Sequence, residues 1–174
     1  GIEWCIQNRI DIINLSFGMT NQSPSLRDAI HRAYRKGIIL VASSGNGGKK
    51  DHVDYPARFS YTIAVGATSQ DKKIAPFSNR GPQIDIYAPG DKIVSTWPGG
   101  QYKKISGTSM ATAHVTGVIA LLLGIRKNLS VKTLKQILKK TANPLQTGKR
   151  EGKGEIDALR AVKHLKRRSH TLRR

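Results

Sequence analysis

Short apolar runs alternate with amphipathic helical patterns along the first 70 residues of this chain, and this alternation constrains the fold more than any other feature. The runs at 10–17, 38–43 and 62–67 are rich in Ile, Val and Ala. The nearly unbroken apolar character of the first run predicts a strand that is covered on both faces. Because helical patterns precede and separate the first two runs, right-handed crossovers would place the strands side by side in one direction. The sequence therefore predicts an α/β fold built on a parallel sheet.

The remaining elements follow from capping signals and periodicity. Ser23-Pro24 predicts the start of a helix that ends near residue 36, because Ser caps helices and Pro is tolerated in the first turn. Later strands are expected at 84–87, 93–96 and 102–106, and later helices at 109–125, 130–141 and 157–166. We find neither repeats nor a long low-complexity linker. The interpretation is one domain over residues 1–166, followed by a basic tail at 167–174 that we expect to be frayed.

The net charge of +19 is concentrated near the C-terminus, where residues 125–174 hold 16 Lys and Arg against three acidic residues. Such charge attracts nucleic acid, anionic lipid or acidic proteins. However, aromatic residues make up only 6% of the chain and none lies in the tail to stack on bases, so we do not expect a nucleic-acid partner. The longest apolar run, 117–125, is shorter than a bilayer requires, so no membrane span is expected.

The start of the chain suggests a fragment or a processed piece. It begins with Gly1 inside an amphipathic pattern, and we expect no signal peptide, because no basic start and no apolar block precede small residues. Cys5 is the only cysteine, so an intramolecular disulfide is excluded and the redox compartment stays open.

Ser109 stands where an extended segment turns through Gly107 into a long apolar helix. Backbone N–H groups at a helix N-terminus lack partners within the helix, and the helix dipole favours negative charge there. A serine in this place can act as a nucleophile whose own N–H helps to hold an oxyanion. The alternative is that Thr108 or Ser109 only caps the helix, which is the commoner role for a serine at a helix start.

Asn46 supplies a second candidate group. It lies in the Gly-rich segment Ser44-Gly45-Asn46-Gly47-Gly48, directly after the predicted strand at 38–43. Ligands of parallel α/β sheets bind beyond the carboxyl ends of the strands, so this side-chain amide is well placed to donate to one. The alternative is an ordinary Asn-Gly turn.

Five motifs, in order and in register, resemble segments of subtilisin-like serine proteases. They are Ile13-Asn14-Leu15-Ser16-Phe17-Gly18, Ser44-Gly45-Asn46-Gly47-Gly48, Tyr55-Pro56-Ala57, Ala64-Val65-Gly66-Ala67, and Gly107-Thr108-Ser109-Met110-Ala111 with His114-Val115. The resemblance extends from Gly1 to near Val162 and covers the C-terminal portion of the family's catalytic domain. It implies a three-layer, parallel-sheet subtilisin-like fold that is incomplete at its N-terminus, and a secreted protein rather than a cytoplasmic one, although either compartment is compatible with the cysteine content.

The resemblance also implies roles for individual residues. Ser109 matches the acyl-accepting nucleophile and Asn46 the oxyanion-hole amide of an endopeptidase that acts on peptides or proteins. Two segments match those that hold the substrate as an added β-strand and wall the pocket for the residue before the scissile bond: Ser16, Phe17 and Gly18, and Ser43, Ser44 and Gly45. No cofactor is required, but structural calcium is possible in the complete domain. Asp85 is the only metal-ligand candidate, and we expect it to be a solvated carboxylate with a structural role.

Two departures from the family pattern bear on function. Ala113 replaces a proline that the family usually has, which removes no catalytic atom. More seriously, the family's catalytic Asp and His precede the Ser in the chain, and neither segment is present upstream of Ser109. His31 and His52 are expected to be solvated, and His114 matches a noncatalytic histidine of the family. We therefore expect the Asp and His in a missing N-terminal part of the same domain, and no activity of this chain alone.

Two other functions are weighed. Ser109, Asp157 and His164 follow the chain order of an α/β-hydrolase triad, but the Gly-x-Ser-x-Gly signature is absent. The other alternative is a catalytically dead remnant whose basic C-terminus binds acidic partners or nucleic acid, or a truncated product of no separate function.

Overall fold

A parallel sheet of four strands forms the centre of the molecule, as the sequence predicts. The computed structural model describes residues 1–145 and 154–171, and the side chains of these residues as far as Arg167. The strands lie in the order β1-β2-β3-β4 and all neighbouring pairs are parallel. Their bounds are β1 (Ile12–Leu15), β2 (Ile39–Ser43), β3 (Ile63–Thr68) and β4 (Ile86–Pro89). A separate antiparallel hairpin follows, made of β5 (Ile93–Trp97) and β6 (Gln101–Ile105).

Five helices cover the two faces of the sheet: α1 (Ile2–Gln7), α2 (Pro24–Arg35), α3 (Thr108–Ile125), α4 (Val131–Thr141) and α5 (Ala158–Thr171). Along β2, Ile39 and Val41 face the cluster that includes α3, α4 and α5, whereas Leu40 and Ala42 face the cluster that includes α2. This alternation follows from the two-residue period of a strand. Burial of each large aliphatic side chain contributes about 1.5–3 kcal/mol, so both layers stabilise the central strands.

The helix caps follow the sequence signals. The Ser23 hydroxyl accepts from the Leu26 N–H at 3.3 Å, and the Ser130 hydroxyl accepts from the Thr133 N–H at 3.1 Å. Helix α5, however, continues to Thr171, so part of the predicted tail at 167–174 is helical rather than frayed.

Strand β1 occupies only part of the apolar run at 10–17 that predicts it, with Ile13 and Leu15 in the core on the α2 side and Ile12 packed against the α3 side. Strand β1 has only four residues and pairs with β2 alone, which places it at the edge of the sheet. Asn14 in its middle is exposed, and its side chain donates to the Ser16 hydroxyl at 2.7 Å and accepts from the Thr116 hydroxyl at 2.9 Å. A polar side chain on an apolar strand is tolerated here because it faces solvent.

Helix α3 meets the length and composition criteria for a membrane span, with 18 residues at a mean hydropathy of 1.6. It contacts all four strands of the parallel sheet, and residues along its length, from Ala111 to Leu122, belong to the core. The central helix of a folded domain meets the same criteria, so α3 carries no membrane assignment. The apolar run at 117–125 is the second half of this core helix.

Candidate active site

Ser109 lies in the first turn of α3, next to the edge strand. Helix α3 begins at Thr108 after Gly107, and Gly107 donates its N–H to the Gly90 carbonyl at 2.8 Å, which fixes the turn. The Ser109 hydroxyl donates to the Ser16 carbonyl oxygen, and the Ser16 hydroxyl donates to the Ser109 carbonyl oxygen, both at 3.1 Å. This reciprocal pair holds the helix start against the segment that follows β1, so two of the predicted site residues are neighbours.

Asn46 reaches the same helix start from the loop after β2. Its Oδ1 accepts hydrogen bonds from the Thr108 N–H at 2.9 Å and from the Thr108 hydroxyl at 2.8 Å. Because Oδ1 faces Thr108, the amino group of Asn46 is left as a donor, and no described residue accepts from it. A Cβ placed on Gly107 would lie 3.5 Å from this amino nitrogen. The Asn46 carboxamide is therefore bonded to the residue directly before Ser109.

Asn79 anchors the loop that carries Asn46, and sequence reasoning missed it. Its Oδ1 accepts from the Gly47 N–H at 3.1 Å and the Lys49 N–H at 3.0 Å, and its Nδ2 donates to the Ser44 carbonyl at 3.1 Å. The side chain is buried, with the residue only 1% exposed. The bonded residues precede and follow Asn46 in the chain, so Asn79 fixes the loop on both sides of Asn46. No local pattern in the sequence identifies Asn79 as the anchor of this loop.

The two predicted substrate-binding segments lie side by side. The Ser43 hydroxyl is 3.4 Å from the Phe17 carbonyl oxygen, to which it donates. Ser43, Ser44 and Gly45 are buried, whereas Phe17 and Gly18 are exposed. The backbone of Ser44 is already occupied, since its N–H donates to Val65 at 2.9 Å and its carbonyl accepts from Asp54 and Asn79. Ser44 can therefore wall a pocket but has no backbone group left to pair with an extended peptide.

None of the described histidines bonds to the Ser109 hydroxyl. His31 is exposed, as expected, and its ring lies 5.5 Å from that of Tyr61. His114 is exposed on α3, and its Nδ1 lies 2.9 Å from the Met110 carbonyl oxygen of the same helix. The expectation that His52 is solvated is wrong: its side chain is 22% exposed and its Nε2 lies 3.0 Å from Asp54 Oδ1. The backbone N–H of His52 donates to the Arg80 carbonyl oxygen at 2.9 Å and that of Asp54 to the Ser44 carbonyl oxygen at 3.0 Å, and these distant partners are not evident from the local sequence.

Asp85 is also not the solvated carboxylate that the sequence suggests. The residue is 3% exposed, and its two oxygens lie 2.8 Å from the Lys135 ammonium and 2.7 Å from the Lys139 ammonium. It also accepts from the Ala64 N–H at 3.0 Å. Both lysines come from α4. Their two positive charges make it possible to bury the Asp85 carboxylate. Within residues 1–145 and 154–167, no group of three His, Cys, Asp or Glu side chains lies together as metal ligands do.

The residues of the α/β-hydrolase alternative are used elsewhere. Asp157 Oδ1 accepts from the Arg160 N–H at 2.8 Å, which caps α5, and Oδ2 accepts from Asn143 at 3.3 Å. His164 lines a surface cavity together with Ile137 and Lys140 of α4. The Ser109 hydroxyl, in contrast, donates to the segment after β1. The described contacts do not join the three into a triad.

Comparison with known proteins agrees with this architecture. The subtilase family, Peptidase_S8, matches residues 1–161. Subtilisin DY of Bacillus licheniformis is 39% identical over 93% of this chain and 60% of its own length. The thermostable alkaline protease of Halalkalibacterium halodurans is 43% identical over 93% of this chain and 45% of its own length. The solved structure of the prenylagaramide maturation protease PagA superposes with a TM-score of 0.82 and 32% identity, and covers 94% of this chain and 65% of that protein.

The chain thus spans about half to two-thirds of the proteins it matches. The match includes the parallel sheet, the helix that starts at Thr108 and the loop after β2. The resemblance found in the five motifs and the subtilisin-like three-layer fold are both confirmed. The chain belongs to the subtilase family of serine proteases.

Proposed function

We propose that this chain supplies the nucleophile and the oxyanion hole of a serine endopeptidase. In this mechanism the Ser109 hydroxyl oxygen attacks the scissile carbonyl carbon, and its proton passes to a histidine outside this chain. The Asn46 amino group and the Ser109 N–H donate to the oxyanion that forms. Collapse breaks the C–N bond, the histidine protonates the leaving amine, and water then hydrolyses the acyl-enzyme by the same steps in reverse.

The observation that carries the proposal is the pair of hydrogen bonds from Thr108 to Asn46 Oδ1, at 2.9 and 2.8 Å. Because these bonds orient Oδ1 toward Thr108, the amino nitrogen of Asn46 lies near Ser109 with no acceptor among the described residues. An oxyanion hole needs such a donor fixed in advance, because a donor that must reorient contributes less to the transition state. A simple Asn-Gly turn would not require both bonds.

We also propose that the catalytic Asp and His of this protease lie in an N-terminal part of the same domain. Among the described residues, no histidine contacts Ser109, and loss of the base lowers turnover about 10⁶-fold, a magnitude measured in subtilisin itself rather than worked out from this structure. This chain alone would therefore have no useful activity. Secretion of the full-length protein stays a prediction made on family grounds.

The outward face of α3 supports this proposal of a missing partner segment. Leu121 is 57% exposed and Ile125 38% exposed, although α3 is the central helix. A Cβ placed on Gly117 or Gly124 would meet no atom within 4 Å. An apolar helix face and the free edge of β1 lie next to each other, because α3 packs on β1. Both features are what a further layer of the same domain would cover.

Fluorophosphonate labelling tests the proposal, because the reagent traps a serine whose hydroxyl is activated by a base. We expect Ser109 to be labelled in the full-length protein, whereas this chain alone and the Ser109→Ala full-length variant stay unlabelled. Efficient labelling of this chain alone would overturn the proposed need for an N-terminal segment. Absence of labelling in the folded full-length protein would favour the catalytically dead remnant.

A further inference from the structure

A cleft of about 290 Å³ lies at the end of the sheet opposite the Ser109 site. Its walls include residues from the end of α2, the loop before β3 and helix α4: Tyr34, Ser60, Tyr61, Lys132, Lys135 and Lys139. Tyr34 precedes β2 and Ser60 precedes β3, whereas Ser16 and Asn46 of the proposed active site follow β1 and β2. Because these strands are parallel, the cleft and the proposed active site lie at opposite ends of the sheet.

Two lysines of the cleft share one carboxylate. Lys135 and Lys139 both pair with Asp85, at 2.8 and 2.7 Å, and their side chains are only 18% and 27% exposed. Lys135 also donates to the Ser60 carbonyl oxygen at 2.9 Å, whereas Asp85 is the one acceptor that Lys139 contacts within the described part of the chain. An ammonium group removed from water is stabilised by an anionic partner. This cluster therefore holds one positive charge more than its carboxylate neutralises.

Lys132 adds a third ammonium group to the same wall. It is exposed and lies in the first turn of α4, three residues before Lys135, so the two side chains share a face of the helix. The helix dipole disfavours a cation at this end, and the first turn contains no acidic residue. None of the described residues that line the cleft is acidic. With Asp85 counted, the cleft has two positive charges in excess.

The opposite wall of the cleft is aromatic. Phe59, Tyr61 and Tyr34 form a row of stacked rings, with centroids 5.3 Å and 5.6 Å apart. Tyr34 ends this row, is 40% exposed and, among the described residues, stacks on Tyr61 alone. Aromatic rings attract one another in offset stacks at such separations, so the row can accept one more ring from a ligand.

We propose that this cleft binds a small aromatic anion, a single ring that carries a phosphate or a carboxylate group. The ring stacks on Tyr34, and the anionic group pairs with Lys139 and Lys132, which lie two turns apart on one face of α4. The volume of the cleft is at the lower limit of small-molecule pockets, about 300 Å³, and so suits a ligand of one ring. This inference does not depend on the proposed proteolytic function, because the described walls of the cleft share no residue with the Ser109 site.

Calorimetric titration of the full-length protein, carrying Ser109→Ala to prevent autolysis, tests this proposal. The probes are phenyl phosphate and benzoate, and the tighter of the two identifies the preferred anionic group. That probe should bind saturably with a Kd below about 1 mM, whereas inorganic phosphate and phenol, which each supply half of the ligand, should bind at least about tenfold more weakly. At ten times its Kd the probe should raise Tm by about 3–5 °C. Absence of saturable binding of both probes up to about 10 mM, or equally tight binding of inorganic phosphate, would overturn the proposal.

Two variants separate the contributions of charge and ring. Lys139→Gln removes the surplus ammonium group and leaves Asp85 paired with Lys135, so it should weaken probe binding about tenfold. Tyr34→Ala should weaken probe binding about fivefold and leave the affinity for inorganic phosphate unchanged. Unchanged probe affinity in both variants would overturn the assignment of the cleft.

Lys140→Gln is the matched control. Lys140 is exposed on the same helix and does not line this cleft, and its replacement makes the same change in charge. The probe should bind this variant within about twofold of the unaltered affinity. A loss equal to that of Lys139→Gln would mean that only the general positive charge attracts the probe, and would overturn the proposal. Thermal unfolding without ligand reports whether each variant folds; if Lys139→Gln does not fold, Lys132→Gln at its exposed position should still weaken binding about threefold, and an unchanged affinity there would overturn the proposal.

Discussion

Replacing Asn79 by alanine tests whether this buried side chain holds the loop that carries Asn46. The change removes three hydrogen bonds of 3.0–3.1 Å and leaves two N–H groups and one carbonyl without that partner. At about 1 kcal/mol net for each bond, we expect the free energy of unfolding to fall by about 3 kcal/mol. The same loss lowers the free energy of local opening, so protection of the Gly47 and Lys49 amides from hydrogen exchange should fall about 10²-fold.

The assay is urea denaturation together with native-state amide exchange, on the full-length protein carrying Ser109→Ala to prevent autolysis. Asn21→Ala is the control, because Asn21 is exposed, and it should change the free energy of unfolding by less than about 0.5 kcal/mol. Asn79→Asp keeps the acceptor oxygen but loses the donor to Ser44, so the two amides should stay protected. Unchanged amide exchange in Asn79→Ala, with less than about 1 kcal/mol of destabilisation, would refute the reasoning.

Three further predictions concern burial. Asp85→Asn should lower the free energy of unfolding by about 3–5 kcal/mol, because it leaves two partly buried ammonium groups without their anion, whereas Asp71→Asn on the surface should leave the urea midpoint almost unchanged; equal urea midpoints for the two variants would contradict this. Gly45→Ala should cost about 3–5 kcal/mol, measured by thermal unfolding, because Gly45 has a φ of +102° and an added Cβ would collide with Asp54 Oδ2, and a cost below about 1 kcal/mol would argue against this packing. Leu121→Gln should destabilise the full-length protein by about 2–4 kcal/mol if a further segment covers α3, while exposed Leu159→Gln should have little effect, and equal small effects would remove that segment from this face.

Local signals were sufficient to predict most elements of this fold. The strand expected at 38–43 is observed at Ile39–Ser43, and the helix expected after Ser23-Pro24 is observed at Pro24–Arg35. Both predictions depend on periodicity and capping, which are properties of neighbouring residues. Strand β1 is shorter than the run at 10–17 that predicts it, because an apolar run does not reveal how many of its residues pair with the neighbouring strand.

The site required contacts that no local pattern contains. The bond from Thr108 to Asn46 joins residues 62 positions apart, and only the resemblance to a known family suggested that they meet. Asn79 and the lysines that pair with Asp85 were missed, because each acts on a segment at least 30 residues away.

The most direct test of the account is the turnover number of Asn46 variants of the full-length protein. Asn46→Ala removes the donor, and Asn46→Asp keeps the acceptor for Thr108 but replaces the amino group by an oxygen. Both should lower kcat by about 10²–10³-fold, a magnitude known from subtilisin, with KM little changed because the donor acts mainly on the oxyanion. A kcat within about twofold of the unaltered protein, in either variant, would contradict the assignment of Asn46 to the oxyanion hole.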